Sequence, residues 1–98
     1  MEKTHTYAAS LCWHGLLGGG LILDDERVTY RTGKLTVPPE IRNLALPYSR
    51  IQSVELSRAL FLPTVTLRMK DGNAWKFLVF GRNSFLTRLW AAMTAYGS

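Results

Sequence analysis

Cysteine, histidine and late acidic residues are what this chain has least of. Its 98 residues hold one cysteine, two histidines and, after residue 57, one carboxylate, Asp71. A lone Cys12 excludes an internal disulfide and suits a reducing, cytoplasmic setting. Cys12, His14 and the end-placed His5 are fewer nitrogen and sulfur ligands than a closed metal site needs, so no metal is expected. Cys12 and His14 are two apart on an expected strand and could share a face as nucleophile and base, but no third member follows in the sequence. A free cysteine is most often a small buried hydrophobe. The glycines at 18 to 20 are followed by neither the lysine nor the helix that a phosphate-binding loop requires, and they serve better as a place for the backbone to bend. The expectation is therefore a protein that is not an enzyme and takes no cofactor.

A membrane-spanning run is also lacking. Ala8 to Leu23 carries no formal charge, yet it is shorter than the roughly 20 apolar residues of a span, and it contains four glycines and His14. Asp24-Asp25-Glu26 follows where a signal peptide needs small residues. The segment reads as folded strand in a soluble protein.

What is present is enough apolar material for one core: 47% of the residues are hydrophobic. A single domain over residues 1–98 is expected, with residues 1–6 a flexible end. The net charge of +5 is uneven. Through residue 57 the charges cancel. From there on, Arg58, Arg68, Lys70, Lys76, Arg82 and Arg88 face Asp71 alone. Such an excess attracts phosphates or an anionic surface, although most modest excesses are simply solvated.

The strongest local pattern runs from Thr64 to Ala95. Val65, Leu67 and Met69 alternate with polar residues; Trp75, Phe77 and Val79 then alternate with Lys76, Leu78 and Phe80, the period of paired strands with one buried face. Between them lies Asp71-Gly72. A two-residue turn there would oppose Met69 to Ala74 and Leu67 to Lys76, mixing the two faces. A three-residue loop, Lys70-Asp71-Gly72, with Gly72 at φ > 0 in a bulge, instead aligns Leu67 with Trp75 and Val65 with Phe77. Arg68 then lies across from Ala74 and Thr66 across from Lys76. After Gly81 the period becomes helical: Asn83 is a candidate cap, and Phe85, Leu86, Leu89, Trp90, Met93 and Tyr96 share a stripe until Gly97. A helix this short is unstable alone in water and must lie on the strands before it.

Earlier in the chain, Tyr7 to His14 reads as a first strand, with Gly15 to Gly19 as its turn. Leu21-Ile22-Leu23 is a short buried strand and Asp24 to Glu26 a turn. Arg27 to Arg31 is a strand with Val28 and Tyr30 inward and its arginines in water. Thr32 to Asn43 is the longest loop, since the pair Pro38-Pro39 resists helix and central strand alike. Leu44 to Leu46 is a strand and Pro47 to Arg50 a bend. Ile51, Val54 and Leu56 return to the core with an irregularity at Gln52-Ser53, and Ser57 to Pro63 crosses to the hairpin. The fold class is mainly β with one C-terminal helix: a curled antiparallel barrel of about seven strands, capped by the helix.

In that order the residues resemble a GRAM domain, a branch of the pleckstrin-homology superfold, from about Ala9 to Ala92. The likeness rests on Gly19-Gly20-Leu21-Ile22-Leu23 followed by Arg27-Val28-Thr29-Tyr30, on Leu46 with Ile51 and Val54, on Leu67 to Phe77 around Asp71-Gly72, and on Arg82 to Leu89. Asp24 departs from the family's usual threonine, and Phe85 stands where tryptophan is common. The resemblance implies the barrel topology and a binding role without catalysis, directed to membranes, lipids or proteins. It implies a ligand mouth formed by the first, third and sixth inter-strand loops, here Gly15 to Gly19, Thr32 to Asn43 and Lys70 to Gly72. Lys34, Arg42 and Lys70 are the candidate contacts with a lipid surface. The first loop has no basic residue, so selective phosphoinositide recognition is not expected.

Leu60-Phe61-Leu62 beside Arg58 is an apolar stretch in an expected connection. It is the candidate surface for a protein partner or for self-association, with membrane insertion ranked behind these. The plain alternative is that Phe61 or Leu62 tucks into the barrel. Arg68, Lys76 and Arg88 suggest a basic stripe, but no outer-face aromatics accompany it, and nucleic acid is not an expected partner.

Overall fold

The computed structural model describes residues 4–59 and 61–97. Among these residues seven strands form one antiparallel sheet: β1 (His5–Cys12), β2 (Leu16–Leu23), β3 (Arg27–Arg31), β4 (Asn43–Pro47), β5 (Ile51–Ala59), β6 (Leu62–Met69) and β7 (Ala74–Val79). Their order across the sheet is β4-β3-β2-β1-β7-β6-β5. The two strands joined by the 3-10 turn Tyr48–Arg50, β4 and β5, are thus the opposite edges. The sheet curls so that these edges approach at that turn without pairing, giving a half-barrel rather than a closed one. With the C-terminal helix this architecture is consistent with a pleckstrin-homology-like fold.

The β6–β7 hairpin has the expected register, with Leu67 opposite Trp75, Val65 opposite Phe77 and Arg68 opposite Ala74. Lys70, Asp71 and Gly72 form its loop: the Met69 amide donates to the Asn73 carbonyl at 2.8 Å, the Gly72 amide donates to the Met69 carbonyl at 3.1 Å, and Gly72 has φ 96°. Hydrophobic alternation chose this register over the shorter turn because the shorter one would turn half the core outward. Leu78 departs from the pattern: it belongs to the outer parity yet is buried, apart from the main core.

The helix α2 (Arg82–Gly97) begins one residue before the expected cap. Gly81, at φ 78°, makes the entry, and the Phe85 amide donates to its carbonyl; Asn83 lies inside the first turn. Phe85, Leu86 and Leu89 are buried and Met93 packs against them. Trp90 and Tyr96 are each 48% exposed, so the stripe is narrower than the spacing suggested. Trp90 stands on its flank, and Tyr96 lies at the far end of the helix from Phe85, where it meets Tyr48 edge-on at 6.1 Å. The other end is held by the Phe85 ring against Tyr7 at 5.4 Å and by a 2.9 Å hydrogen bond between the Tyr7 and Ser84 hydroxyls.

Several boundaries differ from the sequence reading. His5 and Thr6 are not a loose end but pair with Leu23 and Ile22, because β2 is long enough to receive them. Met1 to Lys3 lie outside the described residues. The turn after β1 is Trp13-His14-Gly15, and the glycine run lies within β2. There the backbone at the end of β3 comes close: a Cβ on Gly19 would stand 2.2 Å from the Arg31 carbonyl oxygen. Pro38-Pro39 does not exclude a helix. Pro39 opens a single turn, α1 (Pro39–Arg42), where its missing N–H costs nothing. Arg27, expected in water, is half-buried and paired with Glu26 at 2.7 Å. The irregularity in β5 is present as a register shift between Ile51 and Ser53.

Candidate docking surface

The segment expected to cross from Ser57 to Pro63 instead stays in the sheet. β5 runs to Ala59 and β6 starts at Leu62, with Ala59 opposite Leu62, so the two strands form a long hairpin with a very short tip. Its pairing continues beyond β7, whose ladder with β6 begins at Thr64 opposite Leu78. The end of the hairpin therefore projects from the sheet. Phe61 at the tip is 93% exposed and Leu62 is 41% exposed. The alternative of a ring tucked into the barrel does not hold for Phe61. Leu60 lies outside the described residues. Leu56, expected in the core, is 52% exposed, since it sits on the edge strand with no described strand beyond it.

The projecting end is anchored at its base. Thr64 is fully buried, and its hydroxyl shares a 2.7 Å hydrogen bond with that of Ser57 across the pair. The Arg82 guanidinium donates through Nη1 to the Ser57 carbonyl at 2.9 Å and to the Thr64 carbonyl at 3.3 Å, tying the first turn of α2 to both strands. Charged donors to carbonyls are the stronger class of hydrogen bond, so the base is the anchored part of the hairpin. Arg58 is exposed beside it.

The cations expected at the barrel mouth come from three elements, with Lys34 and Arg42 both beside Thr32. Lys34 is exposed on the loop after β3, where its amide donates to Thr32 Oγ1 at 3.4 Å. Arg42 is half-buried in α1, its carbonyl accepting from the Thr32 amide at 3.1 Å and its Nε buried with no hydrogen-bond partner among the described residues. Lys70 is exposed in the β6–β7 loop, and its amide donates to the Arg50 carbonyl at 2.8 Å. The four described cavities are lined by other residues. Of the expected basic stripe, Arg68 and Lys76 are diagonal neighbours on the outer face of the β6–β7 hairpin. Arg68 pairs with Glu55, which holds its proton more firmly, and Arg88 reaches His5 Nε2 at 2.9 Å. Cys12 ends β1 half-buried, whereas His14 is in the turn at φ 51° with its ring against Trp13, so the two do not share a strand face. Among the described residues no three His, Cys, Asp or Glu side chains come together as metal ligands.

Two features had no clear signal in the sequence. A cavity of about 340 Å³ lies between β4 and the β6–β7 hairpin, lined by Leu44, Leu46, Met69 and Trp75 with Asp71 and with Arg50 of the 3-10 turn. At the other side of that turn Tyr48 is buried and donates to the Asp24 carbonyl at 2.7 Å. Burial, followed by the nearby Asp24 and Asp25 carboxylates, pushes its phenol up to about 12. The continuation of β5 past Ser57 could have been found from the continued alternation of Val54, Leu56 and Arg58.

No family model matches the chain, and no curated protein matches it. Among solved structures it is similar to the C-terminal domain of an unknown protein from Leishmania infantum, with a TM-score of 0.77 at 10% identity over 95% of this chain and 85% of that one. At that identity the likeness shows the fold alone. No described helix is long and apolar enough to cross a membrane.

Proposed function

We propose that this chain is a non-enzymatic binding module of GRAM or pleckstrin-homology-like type that holds a protein partner by the free end of the β5–β6 hairpin. One observation carries the reading: Phe61 is 93% exposed at the tip of a hairpin whose base is tied down by Arg82. A large apolar side chain held out on a rigid support is a common form of interface anchor. The single thiol fits a cytoplasmic setting.

An anionic membrane surface is the second reading, favoured by the exposed Arg58 beside the same tip.

Replacing Phe61 by photo-reactive benzoylphenylalanine tests both. Irradiation in cells is expected to give discrete protein adducts, and Phe61→Asp is expected to abolish the same contact in co-purification without lowering the melting temperature. Sedimentation with phosphatidylserine vesicles that Phe61→Asp abolishes, without protein adducts, would replace the protein by a membrane. Neither adducts nor vesicle binding would defeat the docking role of the tip.

A further inference from the structure

Trp75 and Leu44 turn toward the core without being covered by it. Their partners across the sheet, Leu67 and Tyr30, are fully buried, yet both stay half-buried. Both line the cavity of about 340 Å³ between β4 and the β6–β7 hairpin, together with Leu46 and Met69. β4 pairs with β3 on one side and with no described strand on the other, so no described strand bridges that gap. Water held against indole and aliphatic surface is unfavourable, and an apolar body of matching size displaces it with a gain in free energy. The volume is at the low end of the roughly 300–1,000 Å³ of small-molecule pockets, which suits a compact ligand.

Two ionisable side chains line the cavity, Arg50 and Asp71, and they are not paired with each other. Asp71 is already engaged: its Oδ1 accepts from the Asn73 backbone amide at 2.9 Å and its Oδ2 from the Asn73 side-chain amide at 3.2 Å. Arg50 has neither an ion pair nor a side-chain hydrogen bond among the described residues, while its carbonyl accepts from the Lys70 amide at 2.8 Å. Its backbone is thus fixed at the cavity and its guanidinium is uncommitted. Such a group beside apolar walls matches a carboxylate, which it can hold through two parallel hydrogen bonds.

We propose that this cavity binds a small organic acid, with the carboxylate held by Arg50 and a compact apolar body lying against Trp75, Leu44 and Met69. A medium-chain fatty acid and an arylalkanoic acid share that chemistry. The cavity is at the Met69 end of β6 and Phe61 lies just before its Leu62 end, so about 20 Å of strand separates the two surfaces. Ligand binding here is therefore a further function, independent of docking by the hairpin tip. An occupied cavity also joins β4 to the β6–β7 hairpin, which no described strand pairing does.

Titration with octanoate, followed by the indole N–H signals in two-dimensional NMR, tests the site. Trp75 lines the cavity whereas Trp13 and Trp90 do not, and these two serve as internal controls. The Trp75 signal is expected to shift saturably with a Kd of about 1 mM or tighter, while the controls stay in place. Arg50→Gln is expected to weaken octanoate about tenfold, as loss of a charged hydrogen bond does, and to leave octanol unaffected. Octylamine, equal in length and opposite in charge, is expected to bind at least about tenfold more weakly than octanoate. Phenylpropionate run beside octanoate separates the two sources: whichever acid binds tighter names the class, and either result supports the proposal. Absence of a saturable shift at Trp75, or equal shifts of all three indoles, would overturn it. So would octanol or octylamine binding as tightly as octanoate, or an Arg50→Gln effect that is absent or shared equally by octanol.

Discussion

Gly19 and Gly20 are neighbours in β2 with opposite tolerance for a methyl group. A Cβ at Gly19 would collide with the Arg31 carbonyl at 2.2 Å, while one at Gly20 would meet its nearest atom, the Tyr7 carbonyl oxygen, at 3.5 Å, ordinary contact. Gly19→Ala is therefore expected to cost about 1–3 kcal/mol, as overpacking does, and Gly20→Ala to be close to neutral. Urea denaturation of the pair checks this, and equal midpoints would refute it. Tyr48 gives a second residue-scale prediction. Its phenol is held above its ordinary value in the fold, to about 12, so the neutral form is the folded one. The stability this implies is complete below pH 10 and is lost as the pH rises from about 10 toward about 12, because the unfolded chain ionises first. Tyr48→Phe is expected to flatten the alkaline fall in melting temperature, though not remove it, since burial raises Tyr30 in the same direction. It also gives up the bond to the Asp24 carbonyl, so its melting temperature at neutral pH is expected to fall.

At the scale of elements, the β6–β7 hairpin was legible because three constraints agreed: apolar alternation, avoidance of facing cations, and a glycine at the position that needs φ > 0. Gly72→Ala is accordingly expected to cost about 1–2 kcal/mol with the register retained, seen as a lower denaturation midpoint with unchanged far-ultraviolet circular dichroism. A changed spectrum would mean that the loop, rather than the faces, sets the register. The glycine run at 18 to 20 misled because glycine marks both turns and tight strand crossings, and only the approach of Arg31 to Gly19 distinguishes them. Leu56 misled for another reason: alternation tells which face a side chain takes, but not whether its strand has a neighbour. Which strands are edges is a property of the strand order, and the chain carries no local mark of it. Asn83 satisfied the composition of a cap, yet the backbone entered the helix one residue earlier through Gly81, whose added Cβ would come to 3.7 Å from the Tyr7 ring. The candidate site was half legible. Phe61 and Leu62 stand out in sequence as apolar residues in a link, whereas Lys34, Arg42 and Lys70 were joined only through the family's loop arrangement.

For the molecule as a whole, the charge excess and the fold act at different ranges. A gathered cluster of cations binds an anionic surface through position, so that removing any member costs more than its share. A dispersed excess acts through the summed field alone, which salt screens over a Debye length of about 8–10 Å. Lys34 and Lys70 line none of the four cavities described above and have no described side-chain partner, so the second case is the expected one. Lys34→Glu with Lys70→Glu is therefore expected to weaken adsorption to phosphatidylserine vesicles no more than Arg50→Glu with Lys76→Glu, a pair that changes the net charge equally. Both pairs should lose their effect together as salt is raised. Sedimentation across a salt series decides it. A deficit specific to Lys34 and Lys70 that persists at high salt would mean that the two loops close on a ligand after all. The barrel mouth, rather than the hairpin, would then be the binding face.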